Sequence, residues 1–112
     1  MTYSLYHNPR CSKSRQAKSL LEEAHVEFEE VLYLKAGLDA AHYAALLTQL
    51  GGEPLTHLRK GEDAFKALPA GATLEQIAQA IEADPILLER PVLVSPKGAL
   101  VCRPPERVQD LI

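Results

Sequence analysis

Two cysteines in 112 residues are too few to staple a fold, so a disulfide scaffold is excluded and a reducing compartment is implied. Long apolar runs are also missing: none approaches the roughly 20 residues of a membrane span. Met1-Thr2-Tyr3-Ser4 offers no basic stretch ahead of an apolar one, so no membrane association and a cytoplasmic location are expected. The chain has no excess of positive charge, its formal net charge being -3. That argues against nucleic-acid binding, which needs a basic face to neutralise phosphates, and leaves room only for a small anion held locally. There is no glycine-rich dinucleotide or phosphate-loop fingerprint, and no internal repeat, low-complexity tract or linker. One domain over residues 1–112 without a bound cofactor is therefore expected, acting as a monomer. An apolar fraction of 46% and a charged fraction of 24% are those of a globular protein.

Along the chain the periodicity alternates between strand and helix. Tyr3-Ser4-Leu5-Tyr6 is short and β-prone, and Ala17, Leu20, Leu21 and Ala24 then recur at helical spacing on one face. Residues 27–34 read as a second strand whose apolar end suits a buried parallel position. The middle is helical, an insert at about 39–83. Asp39 caps a helix bearing Tyr43, Leu46, Leu47 and Leu50, which Gly51-Gly52 ends, and Pro54 opens a short helix through Leu58. Thr73 and Gln76 form a capping-box pattern ahead of Leu74, Ile77, Ala78 and Ile81, and Asp84-Pro85 stops that helix. Val92-Leu93-Val94, the turn Pro96-Lys97-Gly98 and Ala99-Leu100-Val101-Cys102 read as a hairpin, and Pro104-Pro105 opens a last helix with Val108, Leu111 and Ile112 inward. The expected class is α/β, in the order β-α-β, helical insert, β-β-α, with a mixed four-stranded sheet flanked by helices.

The residue in this frame that carries chemistry is Cys11, at the carboxyl end of the first strand and the start of the first helix, where open α/β sheets place their sites. A helix start presents unsatisfied N–H groups and the positive end of the macrodipole, which favour the thiolate. Arg10, Lys13 and Arg15 push the same way, and so many cations do not suit the alternative of a buried cysteine sealing a junction. His7, four residues earlier, is placed to stabilise the thiolate or to orient its neighbours, and the Ser14 hydroxyl, one turn on, to donate to the thiolate while capping the helix. The fourth position of the motif is Ser14 and not a second cysteine, so Cys11 cannot be resolved within it and an external thiol is implied. His7 and Cys11 fall short of a zinc constellation, with His25, His42 and His57 scattered elsewhere, and no metal is expected. Tyr6 and Tyr33 are read as core or rim aromatics.

A cysteine at the start of the first helix and Pro91 just before the third strand are the thioredoxin-like arrangement. The chain resembles the glutaredoxin-dependent arsenate reductase family through four motifs in consistent order from residue 3 onward. These are Tyr6-His7-Asn8-Pro9 to Cys11 with Ser14-Arg15; Leu58-Arg59-Lys60; Pro85-Ile86-Leu87-Leu88-Glu89-Arg90-Pro91; and Cys102-Arg103-Pro104. The resemblance implies that Arg59, Arg90 and Arg103 surround Cys11 and bind the substrate oxyanion, that His7, Ser14, Arg15 and Pro91 support the site, and that the Arg90–Pro91 bond is cis. It further implies arsenate as substrate, glutathione as co-substrate and glutaredoxin as the protein partner. Position 17 is Ala17, so the Cys-x5-Arg loop of the phosphatase-like arsenate reductases is absent. Successive strand residues point to opposite faces, so if Arg103 reaches the site Cys102 is a structural residue. Two other readings compete with the reductase: a thioredoxin-fold transcriptional regulator binding RNA polymerase, and a glutathione-dependent thiol oxidoreductase with another substrate.

Overall fold

A computed structural model describes residues 3–112; Met1 and Thr2, which the single-domain expectation includes, lie outside the described residues. The chain folds as two compact units. The first comprises the residues up to Ala36 together with Arg90–Ile112, and the second comprises Gly37–Glu89.

The first unit is built on a four-stranded mixed sheet in the order β2-β1-β3-β4, with β1 at Tyr3–Tyr6, β2 at Phe28–Val31, β3 at Val92–Ser95 and β4 at Gly98–Val101. β1 runs parallel to β2 and antiparallel to β3, and β3 and β4 form an antiparallel hairpin. Helix α1, Ser12–Glu23, connects the parallel pair. Its apolar stripe is the expected one in part: Ala17 and Leu21 are buried with Leu5 and Leu93, which face each other across β1 and β3, Leu20 packs against them, and Ala24 is exposed at the C-cap, where the helix has ended. A six-residue 3-10 helix, Pro105–Asp110, completes this core with Val108, Leu111 following it, and Ile112 packing alongside. The expected last helix is thus present, wound as 3-10 behind Pro104 and Pro105.

The second strand departs from the expectation of a buried strand over 27–34. It spans four residues at the sheet edge, with Glu29 and Glu30 exposed. The reason lies in its neighbour: β1 ends at Tyr6, and the His7 N–H donates the last bond to the Val31 carbonyl at 3.0 Å. Beyond that point Leu32–Leu34 have no strand to pair with among the described residues. The Lys35 N–H turns back to the Leu32 carbonyl, and the chain winds into the one-turn helix α2, Tyr33–Ala36, with Tyr33 buried. The hairpin loop is also tighter than expected: Ser95 pairs with Gly98, leaving only Pro96-Lys97 between the strands, and Gly98 takes a φ of 140° that favours glycine. Cys102 lies one residue beyond β4, its N–H donating to the Pro91 carbonyl at 2.8 Å.

The second unit is helical, as expected. Helix α3, Ala40–Leu50, starts where the Asp39 carboxylate accepts from the His42 N–H at 2.9 Å and ends at Gly51, whose φ is 72°. Helix α5, Leu74–Ala83, has the reciprocal capping box of Thr73 and Gln76. The two pack together, burying Tyr43, Leu46 and Leu47 of α3 and Ile77, Ala78 and Ile81 of α5. Between them come a 3-10 turn at Pro54–His57 and a one-turn helix α4 at Asp63–Lys66; a second 3-10 turn, Pro85–Leu87, follows α5. The segment around Arg59 is tied to the end of the unit, its N–H donating to the Leu87 carbonyl at 2.8 Å while the Glu89 N–H donates to that of His57 at 2.9 Å. Among the described residues no helix is long and apolar enough to cross a membrane.

Candidate active site

The loop between β1 and α1 forms because the parallel ladder ends at His7 and the chain must enter a helix within five residues. The Asn8 side chain organises the turn: its Oδ1 accepts from the Arg10 N–H at 3.0 Å, while its carbonyl accepts from the Cys11 N–H at 2.9 Å. The Arg15 guanidinium reaches back and donates to the Pro9 carbonyl at 2.8 Å, bracing the loop from the helix side. These bonds leave Cys11 as the N-cap of α1 with extended dihedrals and a half-buried side chain.

Burial alone raises the pKa of this thiol, but several groups oppose it. The backbone N–H groups of Ser14 and Lys13 at the helix start, the positive charge of Arg90 and the Ser14 hydroxyl together bring it down to about 7. Ser14 is buried, and its Oγ accepts from the Asn8 N–H at 3.3 Å, which turns the hydroxyl proton toward the sulfur. The loop thus holds Ser14 in place through the Asn8 N–H.

Arg103 arrives from the far end of the chain. Its Nη1 is 4.0 Å from the Cys11 sulfur and donates to the Arg90 carbonyl at 3.0 Å. Arg90 and Arg103 are thus brought together beside Cys11, each ahead of a proline, and the Arg90–Pro91 and Arg103–Pro104 peptide bonds are both cis. Arg90–Pro91 was expected in that form and Arg103–Pro104 was not. Pro91 is buried at the start of β3. Arg59 belongs to the second unit, where its Nη1 pairs with Glu62 at 3.3 Å.

His7 takes a position the sequence does not reveal. It is buried, and its Nε2–H donates to Glu30 of β2 at 3.2 Å, while Lys18 of α1 holds the other carboxylate oxygen at 3.1 Å. Burial pushes its pKa below the usual histidine value and outweighs the Glu30 charge, with Lys18 and Arg15 adding to the depression. Of the two roles expected for it, orientation of its neighbours suits this buried placement against Glu30. Glu30 is the residue that sequence reasoning missed. Its only signal was a polar residue one strand away, at the register position opposite Leu5.

Cys102 is fully buried in the core of the first unit, and its thiol donates to the Leu100 carbonyl at 3.6 Å. Burial pushes its pKa up to about 11, so it is an inert structural thiol. Arg103 next to it is exposed, the chain having left β4 and turned so that the Arg103 N–H donates to the Val101 carbonyl at 3.1 Å. Tyr6 and Tyr33 are buried aromatics. Among the described residues no group of three histidine, cysteine or acidic side chains is arranged to hold a metal ion.

This arrangement can bind a tetrahedral anion and attack it. Helix N–H groups and two guanidinium forks supply fixed positive charge, and the sulfur is ionised near neutral pH. A protein of Escherichia coli K12 called YfgD, described as uncharacterized, is 43% identical over 112 residues, covering 96% of this chain and 94% of its own. An arsenate reductase of Rhizobium meliloti is 33% identical over 115 residues, covering all of this chain and 82% of its own. The solved structure of an arsenate reductase from Vibrio cholerae superposes with a TM-score of 0.92 at 31% identity, covering 100% of this chain and 98% of that one. The model of the ArsC family matches residues 6–111, and the chain belongs to the ArsC family.

Proposed function

We propose that the protein is a glutathione- and glutaredoxin-dependent arsenate reductase with Cys11 as its nucleophile. The observation that carries this reading is the Arg103 guanidinium 4.0 Å from a sulfur whose pKa is about 7. Two anions, a thiolate and an oxyanion, repel each other, and only fixed cations and N–H dipoles hold them within bonding reach. Arg90, Arg103 and the first-turn N–H groups of α1 supply both. The family resemblance adds Arg59 as a third oxyanion-binding arginine.

In the first step the Cys11 thiolate attacks arsenic; the S–As bond forms and an As–OH bond breaks, releasing water once that oxygen is protonated. Glutathione then adds its sulfur to the same arsenic, which remains pentavalent, and a second water leaves. A glutaredoxin thiolate attacks the glutathione sulfur; the S–As electron pair passes to arsenic, reducing it to the trivalent state and leaving a glutathione–glutaredoxin mixed disulfide. Water then displaces Cys11, and arsenite departs. In sum, arsenate and two thiols give arsenite, one disulfide and one water. No organic cofactor or metal takes part, and the protein acts as a cytoplasmic monomer. The test is arsenite release by purified protein with arsenate, glutathione, glutaredoxin and a recycling reductase. Release that depends on Cys11 supports the reading, and none with any thiol donor removes it.

A further inference from the structure

The chemistry above needs a second sulfur beside arsenic, and this chain supplies none: its other cysteine, Cys102, is sealed in the core. We propose that the open groove along the outer face of α1, lined by Ser12, Arg15, Gln16, Ser19, Leu20 and Glu106, is the seat of glutathione. The proposal rests on the reductase reading and adds to it a location for the co-substrate.

Four observations lead there. The groove begins at Ser12, the residue that follows the nucleophile in the chain. Its volume of about 420 Å³ lies within the range of about 300–1,000 Å³ that small-molecule sites occupy. From Ser12 to Ser19 the helix rises about 10 Å at 1.5 Å per residue, the span of an extended tripeptide. The charges also match. Glutathione carries two carboxylates and one ammonium, and the groove presents Arg15, braced on the Pro9 carbonyl, and Glu106 from the 3-10 helix Pro105–Asp110. Arg15 suits a carboxylate and Glu106 the ammonium, with Gln16 and the two serines left for the peptide groups.

The step performed from this seat is the second addition. The bound thiol gives up its proton, its sulfur bonds to arsenic, an As–OH bond breaks and water leaves with that proton, with no change in oxidation state. The reductant that follows is the dithiol protein.

The test uses the whole chain and S-methylglutathione, which binds without reacting, followed by amide chemical shifts. Saturable shifts at Ser12, Gln16, Ser19 and Glu106 are expected, lost in Ser19→Trp, whose indole fills the groove. Glu106→Gln is expected to weaken S-methylglutathione by up to about fivefold, the worth of one exposed charge pair. It should leave the N-acetylated ligand, which has no ammonium, unaffected. Shifts centred elsewhere, or none up to about 20 mM, well past the millimolar range of weak ligands, overturn the proposal. So does a reduced dithiol protein perturbing these amides where S-methylglutathione does not, which assigns the groove to the protein partner. The titration contains no arsenate, so its failure leaves the reductase reading standing. Failure of arsenite release leaves the titration result unchanged.

Discussion

The Arg103 guanidinium stands 4.0 Å from the Cys11 sulfur although 92 positions separate the two residues, and the same Nη1 is anchored on the Arg90 carbonyl at 3.0 Å. An arginine fixed in this way meets an incoming anion with little further ordering, and its planar fork suits a tetrahedral oxyanion better than an ammonium does. Arg103→Ala and Arg90→Ala should each weaken arsenate binding or turnover by roughly tenfold or more, the loss of one charge-assisted interaction. Lysine at either position should rescue only in part. Arg107→Ala removes a cation that instead donates to the Val101 carbonyl, and it should leave activity near wild type. The same assay on Arg59→Ala tests the third arginine that the family resemblance adds. Steady-state kinetics with arsenate as the varied substrate measures all of them.

Cys11→Ser should abolish arsenite release and leave the fold intact, because a serine hydroxyl stays protonated at neutral pH and is a far weaker nucleophile. Cys102→Ala should keep most activity, its thiol being buried and held at a pKa of about 11. A loss as large as that of Cys11→Ser would show Cys102 to be a second redox thiol. Circular dichroism alongside the coupled assay separates chemistry from folding.

The thiolate should also appear as a pH dependence of reactivity. With a pKa near 7, Cys11 is mostly thiol below that pH and mostly thiolate above it, so the rate of alkylation by iodoacetamide should rise through pH 7 and level off by about pH 8. Ser14→Ala removes the hydroxyl that donates to the sulfur, and its midpoint should move upward. Native Cys102 should not react in this range.

The capping groups give a prediction on stability. Thr73→Ala breaks a reciprocal capping box and should cost about 1 kcal/mol. Leu93→Ala, at the centre of the first unit's core, should cost about 2–5 kcal/mol by leaving a cavity between the sheet and α1. Urea denaturation measures both.

Much of this molecule is legible in its sequence, and the parts that are not have physical reasons. Asp39, Thr73 with Gln76, and Gly51 mark helix ends through local hydrogen bonding and backbone freedom, which a sequence carries in full. Cys11 at a strand-to-helix junction is legible for the same reason. The second strand stops at Val31 because β1, its neighbour in the sheet, stops pairing, and no pattern within residues 27–34 records the length of a partner. The one-turn helices at Tyr33–Ala36 and Asp63–Lys66 are too short to show a period. The pairing of His7 with Glu30 and Lys18 joins β1, β2 and α1, so it exists only once the sheet has formed. The approach of Arg103 to Cys11 is likewise a product of the sheet, and only the family resemblance anticipates it.

The measurement that tests the central claim most directly is calorimetric titration of the reduced protein with arsenate at pH 7.5, on wild type and Arg103→Ala, beside a thiol titration of Cys11. The account predicts saturable arsenate binding that sulfate or phosphate competes away, weaker binding in Arg103→Ala, and a Cys11 pKa near 7. A cysteine titrating near 8.5, the ordinary thiol value, with no detectable oxyanion binding would contradict it.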